Sequence, residues 1–532
     1  MEQTEILLAI QQQLTMLQST IDTLREQSRQ KDEEIERLRQ IILNLQRAQY
    51  GQRSEKRTYV LDDGNQQLSL FDTPEKSEEK SNPEPSQNPE PEKEIRVSGH
   101  SRKKKRTLEE LCATLPVEER IVDLPDDEKV NANGHAVTCI GQEYIRTELV
   151  MERATAKVVK HYRKVYADRE LEQETGYSEV FKPIMPPPLL AHSYASASVV
   201  ADVLMKKYVD AMPLYRQEQM WKRMGVELKR GTMANWVIQV ADLYLRPFWK
   251  RIRSELLTQS AIHADETVMQ VHKENGKPDT AESRMWVYSS AKRADIQLRC
   301  FEYRESQSGK WAKAFLEGFS GVLITDGYSG YNKVQDAEHA GCWAHMRRKW
   351  LEAMPEGADA KTCNAAKGYE FCSRLFELER QFEKLTAEER LMQRKEKSGP
   401  VLEAYWTWLD TIPRPTGKLK DAVTYAQNQK ARLCAFLEHG EIEISNNQVE
   451  NAIRPFVIGR KGWLFADTPQ GAEASAIIYS LMETAKANNL RLDDYLLHLL
   501  SVLPERAEQS KDFQIDDLLP WSEEMKSWFS AV

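Results

Sequence analysis

Apolar residues step alternately by three and four through the first fifty positions: Leu7, Ile10, Leu14, Leu17, Ile21, Leu24, Ser28, Lys31, Ile35, Leu38, Ile42 and Leu45. Ten of these twelve seam positions are apolar, and neither proline nor glycine appears before Gly51. A 3.5-residue repeat held this long drifts off a straight 3.6-residue helix and favours winding around a partner. The pattern predicts a coiled-coil oligomerisation helix over 1–50, with Ser28 and Lys31 weakening its middle or setting its register. An amphipathic helix packed on its own protein is the alternative.

The seam then stops. Residues 61–94 hold ten acids, three lysines and five prolines, too little apolar surface to offset the entropy of ordering. A flexible acidic linker is expected over 51–106, ending in the basic cluster Arg102, Lys103, Lys104, Lys105 and Arg106. That cluster reads either as a solvated linker end or as a phosphate-contacting arm. Over 107–182 a small strand-containing domain is expected, with Thr155 to Tyr166 extended and Val158, Tyr162 and Tyr166 on one face. Pro183, Pro186, Pro187 and Pro188 make a stiff connector.

From 189 to 257 the spacing turns helical, as in Val199, Val200, Val203 and Leu204. Met224-Gly225-Val226-Glu227-Leu228 followed by Thr232 to Val237 reads as helix, glycine turn and a second helix capped near Thr232. With Lys222, Arg223, Lys229 and Arg230 around the turn, this region resembles a helix-turn-helix that docks on DNA, although any helical hairpin has the same outline.

After 257 strands take over: 261–271 alternates, 285–289 and 296–303 do likewise, a helix is expected over 310–319, and 321–325 reads as a short buried strand. Strand, strand, strand, helix, strand is the opening order of a ribonuclease-H-like fold. In that topology the first and fourth strands are neighbours, which would bring Asp265, within the first, beside Asp326, just past the fourth. Adjacent ionised carboxylates repel and need a cation between them, and oxygen ligands suit Mg²⁺ or Mn²⁺. A pair of such ions can activate a water or a 3′-hydroxyl on one side of a phosphodiester and stabilise the leaving oxygen on the other. Glu450 is the candidate third acid, expected in the second turn of a helix capped by Ser445, with Arg454 one turn on along the same face.

Several other residues have two readings. His339, Cys342 and His345 are spaced like metal ligands, a spacing that also marks a strand running into a helix. Glu266 neighbours Asp265 but points to the opposite face of a regular strand, whereas His263 shares the face of Asp265 and either lines the site or packs in the core. Arg460, Lys461 and Trp463 suit a groove for a DNA end, or else a capped loop with a core tryptophan.

Long stretches of this chain resemble the transposases of the insertion sequence 66 family, a DDE-type group. They are AQYGQRSEKR (48–57), KKYVDAMPLYRQEQMWKRMGVELKRGTMANWV (206–237), HADETV (263–268), TDGYSGYN (325–332), CWAHMRRKW (342–350), EISNNQVENAIRP (443–455) and IGRKGWLFADTPQGAEASAIIYSLMETAKAN (458–488). The resemblance implies a DDE transposase that performs metal-dependent end cleavage and strand transfer, with Asp265, Asp326 and Glu450 on the catalytic and metal-binding positions. It makes 258–349 and 441–490 the catalytic domain, 350–440 a helical insertion, and 491–532 a C-terminal helix with an acidic tail. It sets His345, Arg347 and Arg348 beside the site as phosphate contacts, together with Arg454, Arg460 and Lys461. Two departures stand out. The family's cysteine-rich element is represented here by VNANGHAVTCIG (130–141), whose only thiol is Cys139, so no structural zinc is expected. Asn451 replaces the arginine usual after the glutamate.

Composition at first argues against DNA, because 74 basic against 82 acidic residues leave −8. The segments 61–94 and 505–532 account for −7 and −4 of this, leaving +3 over the other 470 residues. Basic surface is therefore local, as at 102–106, 222–230 and 347–349. Seven cysteines with no close pair make no disulfide framework, and no run of 18 apolar residues is present. The expectation is a multidomain α+β protein of the bacterial cytoplasm, nucleoid-associated when on DNA. Its expected partners are inverted-repeat ends, target DNA, a second copy of itself and any accessory proteins of the element. A sequence-specific DNA-binding protein without catalysis, or a purely structural oligomer, remains the alternative.

Overall fold

The computed structural model describes residues 156–162, 164, 166–167, 180–181, 184–355, 363–510 and 512–531. The expected coiled coil at 1–50, the linker 51–106 with Arg102, Lys103, Lys104, Lys105 and Arg106, and the segment around Cys139 lie outside the described residues. The strand expected over 155–166 is not found among those described. Pairing there is limited to Tyr166–Ala167 against Val180–Phe181, and Val158 and Tyr162 are 89% and 83% exposed.

Among the described residues, four helices precede the sheet. In α1 (Ala197–Tyr208) the Ser196 hydroxyl accepts the Val199 N–H at the first turn. α2 (Leu214–Arg223) ends in a turn at Gly225, whose φ of 81° is accessible to glycine at little cost. α3 (Arg230–Val240) starts at Lys229 with no side-chain cap. The cap expected near Thr232 is therefore misplaced, because Thr232 already lies inside the first turn. A π-helical turn (Ala241–Leu245) carries α3 into α4 (Arg246–Leu256). Val200, Val203 and Leu204 of α1 and Met233, Trp236 and Val237 of α3 are buried, as helical spacing requires.

The sheet has β1 (Ala261–Val271), β2 (Glu282–Ser290), β3 (Arg299–Arg304), β4 (Val322–Thr325) and β5 (Glu338–Gly341), with α5 (Lys310–Phe315) between β3 and β4. Their order is β3-β2-β1-β4-β5, antiparallel across the first three and parallel across the last three. Long β1 is thus central. A two-residue strand, β6 (Phe465–Ala466), pairs parallel with its far end.

Side chains alternate across this sheet and define two cores. Ile262, Ala264 and Leu323 face Trp286, Tyr288, Phe315 and Tyr331, with the rings of Tyr288 and Phe315 stacked at 3.8 Å. Ala261, Val322, Ile324 and Ala340 face the other way, into a core rich in aromatic rings. That second core is built by α6 (Trp343–Glu352), α7 (Asn364–Gln381), α9 (Gly399–Leu409), α10 (Gly417–Asn428) and α11 (Lys430–Cys434), with the short α8 (Ala387–Gln393) outside it. The indole N–H groups of Trp343 and Trp350 donate to the Leu433 carbonyl at 2.8 Å and to the Tyr405 hydroxyl at 3.2 Å. Arg394, fully buried, grips both oxygens of Glu379 at 2.8 and 2.6 Å. It also donates to the carbonyls of Phe436, His439 and Ile442, pinning the chain as it returns toward the sheet.

The return leads into α12 (Asn447–Trp463), α13 (Pro469–Ala487), α14 (Leu492–Gln509) and α15 (Glu523–Phe529). α13 covers the edge strand β3, where main-chain groups would otherwise lack partners. The Thr484 hydroxyl accepts from the Arg299 N–H and donates to the Arg299 carbonyl, both at 3.0 Å, and the Ser480 hydroxyl accepts from the Phe301 N–H at 2.7 Å. Among the described residues, no helix is long and apolar enough to cross a membrane.

Replacing Thr484 by the isosteric valine is expected to destabilise the protein by about 1–3 kcal/mol, because two buried main-chain groups lose their partner while volume is kept. Urea unfolding of the two proteins compares them. An unchanged midpoint would mean that edge cover by Thr484 contributes nothing.

Candidate active site

The parallel pairing of β1 with β4 aligns Ala261 with Val322, Ile262 with Leu323 and His263 with Ile324. Continued two residues further, the same offset of 61 sets Asp265 opposite Asp326. Adjacent strands lie about 4.8 Å apart. Asp265 has the parity of Ala261, and Asp326 that of Val322 and Ile324, so both carboxylates project from the face that carries the helical core. The Asp265 Oδ1 accepts the Glu266 N–H at 2.9 Å, and the Asp326 Oδ1 accepts the Tyr328 N–H at 2.8 Å. The turn after Asp326 needs glycine. Gly327 has φ 97°, and a β-carbon there would meet the Gln429 side chain at 3.2 Å and the Tyr425 hydroxyl at 3.3 Å. Tyr425 in turn donates to the Asp326 carbonyl at 2.7 Å.

Glu450 arrives from α12, which packs along β1. The helix starts at Asn447, so Glu450 lies in its first turn, and the cap is Asn446, not Ser445 as expected. Asn446 cannot cap the helix with its side chain because that side chain is committed elsewhere. Fully buried, it donates to the Ala264 carbonyl at 2.9 Å and presents its oxygen to His263 Nδ1 at 3.0 Å. His263 Nε2 meets Glu443 at 2.9 Å. The packed alternative for His263 is thus the one observed. The other end of α12 is also tied to β1, through β6 at Gln270 and Val271 and through Arg460, which reaches the Thr267 hydroxyl at 3.4 Å. One strand therefore carries Asp265 and holds both ends of the helix that carries Glu450.

The electrostatics reflect this crowding. Burial, then the carboxylates of Asp326, Glu266 and Glu450, push Asp265 well above the usual carboxylate range, with His345 opposing. Glu266 points the other way, accepting from Tyr331 and Gln307, each at 2.7 Å. β5 runs directly into α6, so the spacing of His339, Cys342 and His345 does mark a strand entering a helix. His339 donates to the Val334 carbonyl at 2.8 Å, away from the other two. Cys342 and His345 instead gather with Glu450, their ligand atoms all within 4.8 Å of one another. Burial alone would lower the His345 imidazole, but the sulfur of Cys342 and the carboxylate of Glu450 outweigh it and raise it to about 9.

The expected phosphate contacts are spread around this centre. Arg347 lies over the ring of Phe376, 4.7 Å from its centroid, and Arg348 is close enough to His345 to oppose its protonation. On α12, Arg454 and Arg460 are half-buried and Lys461 is exposed. Trp463 packs edge-on against Phe456, under the ammonium of Lys207. Lys229 and Arg230 are exposed at the start of α3, Arg230 lying over Tyr215.

A family model described as Transposase IS66 family matches residues 192–474. The chain belongs to the IS66 transposase family. A model described as Transposase C of IS166 homeodomain matches 37–120, and the IS66 C-terminal element matches 480–521. Among curated proteins, this IS66 transposase is 29% identical over 383 residues to the uncharacterized protein y4qI of Sinorhizobium fredii, covering 69% of this chain and 68% of that one. It is 28% identical over 391 residues to the uncharacterized protein y4jD of the same organism, covering 69% and 73%. Membership carries a transposase role and, with it, action on the ends of an insertion sequence.

The donors of this IS66 transposase suit the divalent ions used by DDE transposases. Asp265 on β1 feels the carboxylates of Asp326, just past the end of the neighbouring β4, and of Glu450 on α12, and the Glu450 Oε1 is buried without a hydrogen-bond partner. Sequence reading overlooked Asn446, Glu443 and Tyr425. The signal for the first two was His263, a polar residue amid the apolar start of β1, which needs buried partners.

Asn446→Ala would leave His263 and the Ala264 carbonyl short of a partner, each buried group costing about 1–3 kcal/mol. Asn447→Ala, one position on, is expected to change stability by no more than about 0.5 kcal/mol. If urea unfolding gave equal losses for both, the clamp would hold no special share of the stability.

Proposed function

We propose that this protein is a DDE transposase in which Asp265, Asp326 and Glu450 form the catalytic and metal-binding site for cleaving insertion-sequence ends and joining them to target DNA. The observation that carries the proposal is the strand register that sets Asp265 opposite Asp326, with the helix of Glu450 tied at both ends to the same strand. The sheet order β3-β2-β1-β4-β5 supports a ribonuclease-H-like reading of the catalytic domain. Mg²⁺ or Mn²⁺ held by the three acids, in two ions, would activate the attacking water or 3′-hydroxyl and offset charge on the leaving oxygen.

The protein's own residues account for the rest of the chemistry. Asp265 and Asp326 are held by main-chain N–H groups through one oxygen each, which orients the carboxylates before DNA arrives. Gly327 and Tyr425 fix the turn that carries Asp326. The half-buried Arg454 and Arg460 and the exposed Lys461 line one helix with Glu450 and would neutralise phosphates near the scissile bond. Lys229 and Arg230, at the start of α3, would meet the duplex further out. Pairing through the 1–50 helix would bring two ends together.

The test is incubation of the purified protein with its flanking inverted repeats and Mg²⁺ or Mn²⁺, mapping nicks and joined products. Asp265→Asn, Asp326→Asn and Glu450→Gln are each expected to lower both steps by roughly 10²–10³-fold or more, the scale for losing one group that stabilises transition-state charge. End binding in a gel-shift assay should be largely kept. A single variant that joins ends at a near wild-type rate would remove that residue from the triad, and wild-type binding without any nick would favour a DNA-binding protein without catalysis.

A further inference from the structure

Cys342, His345 and Glu450 converge from two elements that meet nowhere near one another in sequence. Cys342 is the N-cap of α6, His345 lies in that helix's first turn, and Glu450 lies in the first turn of α12. The His345 Nδ1 and the Glu450 Oε1 face each other at 3.9 Å, and each is buried without a hydrogen-bond partner. That gap is too wide for a hydrogen bond. It is close to the separation of two ligands on one tetrahedral ion, about 3.3–3.8 Å for bond lengths of about 2.0–2.3 Å. Cys342 is fully buried, and its sulfur accepts the Asn446 N–H at 3.1 Å, an outer contact of the kind that orients a thiolate ligand.

We propose that Cys342, His345 and Glu450 form a binding site for a borderline-soft divalent cation of the zinc class, which shares Glu450 with the proposed catalytic triad and takes its other two ligands from α6. One sulfur, one nitrogen and one oxygen suit Zn²⁺ or Co²⁺ and exclude Mg²⁺ as a preferred occupant. With the three atoms now within 4.8 Å, small side-chain rotations of about an ångström close them onto one ion. Binding releases to solvent whatever protons the ligand atoms hold, and the fourth position stays open to water or a phosphate oxygen. Occupancy would draw Glu450 away from the two aspartates. That consequence rests on the proposed triad, whereas the site itself does not.

The test is titration of the full-length protein with Co²⁺ in Mg²⁺-free buffer, followed by the thiolate-to-cobalt charge-transfer band and the visible bands of a tetrahedral ion. A saturable spectrum is expected, displaced by Zn²⁺ and not by Mg²⁺. Cys342→Ser should abolish the charge-transfer band, and His345→Ala should weaken binding at least about tenfold. Circular dichroism of both variants confirms that they fold. His345→Ala keeps the test decisive if the buried Cys342 variant does not. Cys139→Ser and Asp265→Asn are expected to keep the full spectrum. Absence of any thiolate band, its survival in Cys342→Ser or its loss in Cys139→Ser would overturn the site. Since Asp265→Asn lies outside the ligand set, retained cobalt binding together with lost cleavage separates this site from the proposed triad.

Discussion

A single buried imidazole joins the two halves of the site. The Asn446 amide nitrogen donates to the Ala264 carbonyl, which can only accept, so the amide oxygen must face His263 and Nδ1 must carry a proton. Nε2 and Glu443 then share one further proton. Burial raises Glu443, but the His263 bond and charge outweigh it and hold that carboxyl below its ordinary value. The result is a buried hydrogen-bonded link between β1 and the residues just before α12, about 180 positions apart in sequence. Breaking either partner would strand the other in a dry interior, which is why such links are costly to remove once made.

This link explains what the helical segment between β5 and α12 does for the sheet. A chain that leaves at Gly341 and returns at Glu443 closes a long loop, and loop closure by itself specifies no register on return. Specification comes from the aromatic core around Trp343, Trp350 and Tyr405 and from Arg394, which grips Glu379 and then the carbonyls of Phe436, His439 and Ile442. The last of these lies one residue before Glu443. The path from a packed core to a positioned carboxylate is therefore continuous: Arg394 sets Ile442, Glu443 and Asn446 lock onto His263, and α12 begins at the next residue with Glu450 in its first turn.

Sequence pattern was most informative where one physical rule dominated. The alternation of 261–271 gave a strand with those bounds, and the neighbouring order of β1 and β4 followed from element sequence alone. It failed where a side chain had two competing uses. Ser445 looked like a helix cap, yet Asn446 holds that position with its side chain spent on β1. Thr232 likewise reads as a cap, but the extended approach through Lys229 starts the helix earlier. Thr155 to Tyr166 alternates only imperfectly, and among the described residues its pairing is confined to Tyr166, with Val158 and Tyr162 exposed. The meeting of Cys342 and His345 with Glu450 was beyond reach, because it depends on how two helices start, not on spacing within either.

The whole-chain charge of −8 also takes on a different meaning beside this geometry. Acids at the centre are not solvated surface charges. Asp265 is half-buried and pushed up by desolvation and by Asp326, Glu266 and Glu450, while His345 on the other side is raised to about 9 beside Cys342 and Glu450. Repulsion among the acids is held in place by register and by the two ends of α12, neither of which can relax without breaking β1 pairing. A scaffold that holds repelling oxygens at fixed positions is preorganised for cations, because the reorganisation that a flexible site would need has been met during folding. Among the basic residues of the same elements, Arg347 lies against Phe376, Arg460 reaches Thr267 and Lys461 is exposed.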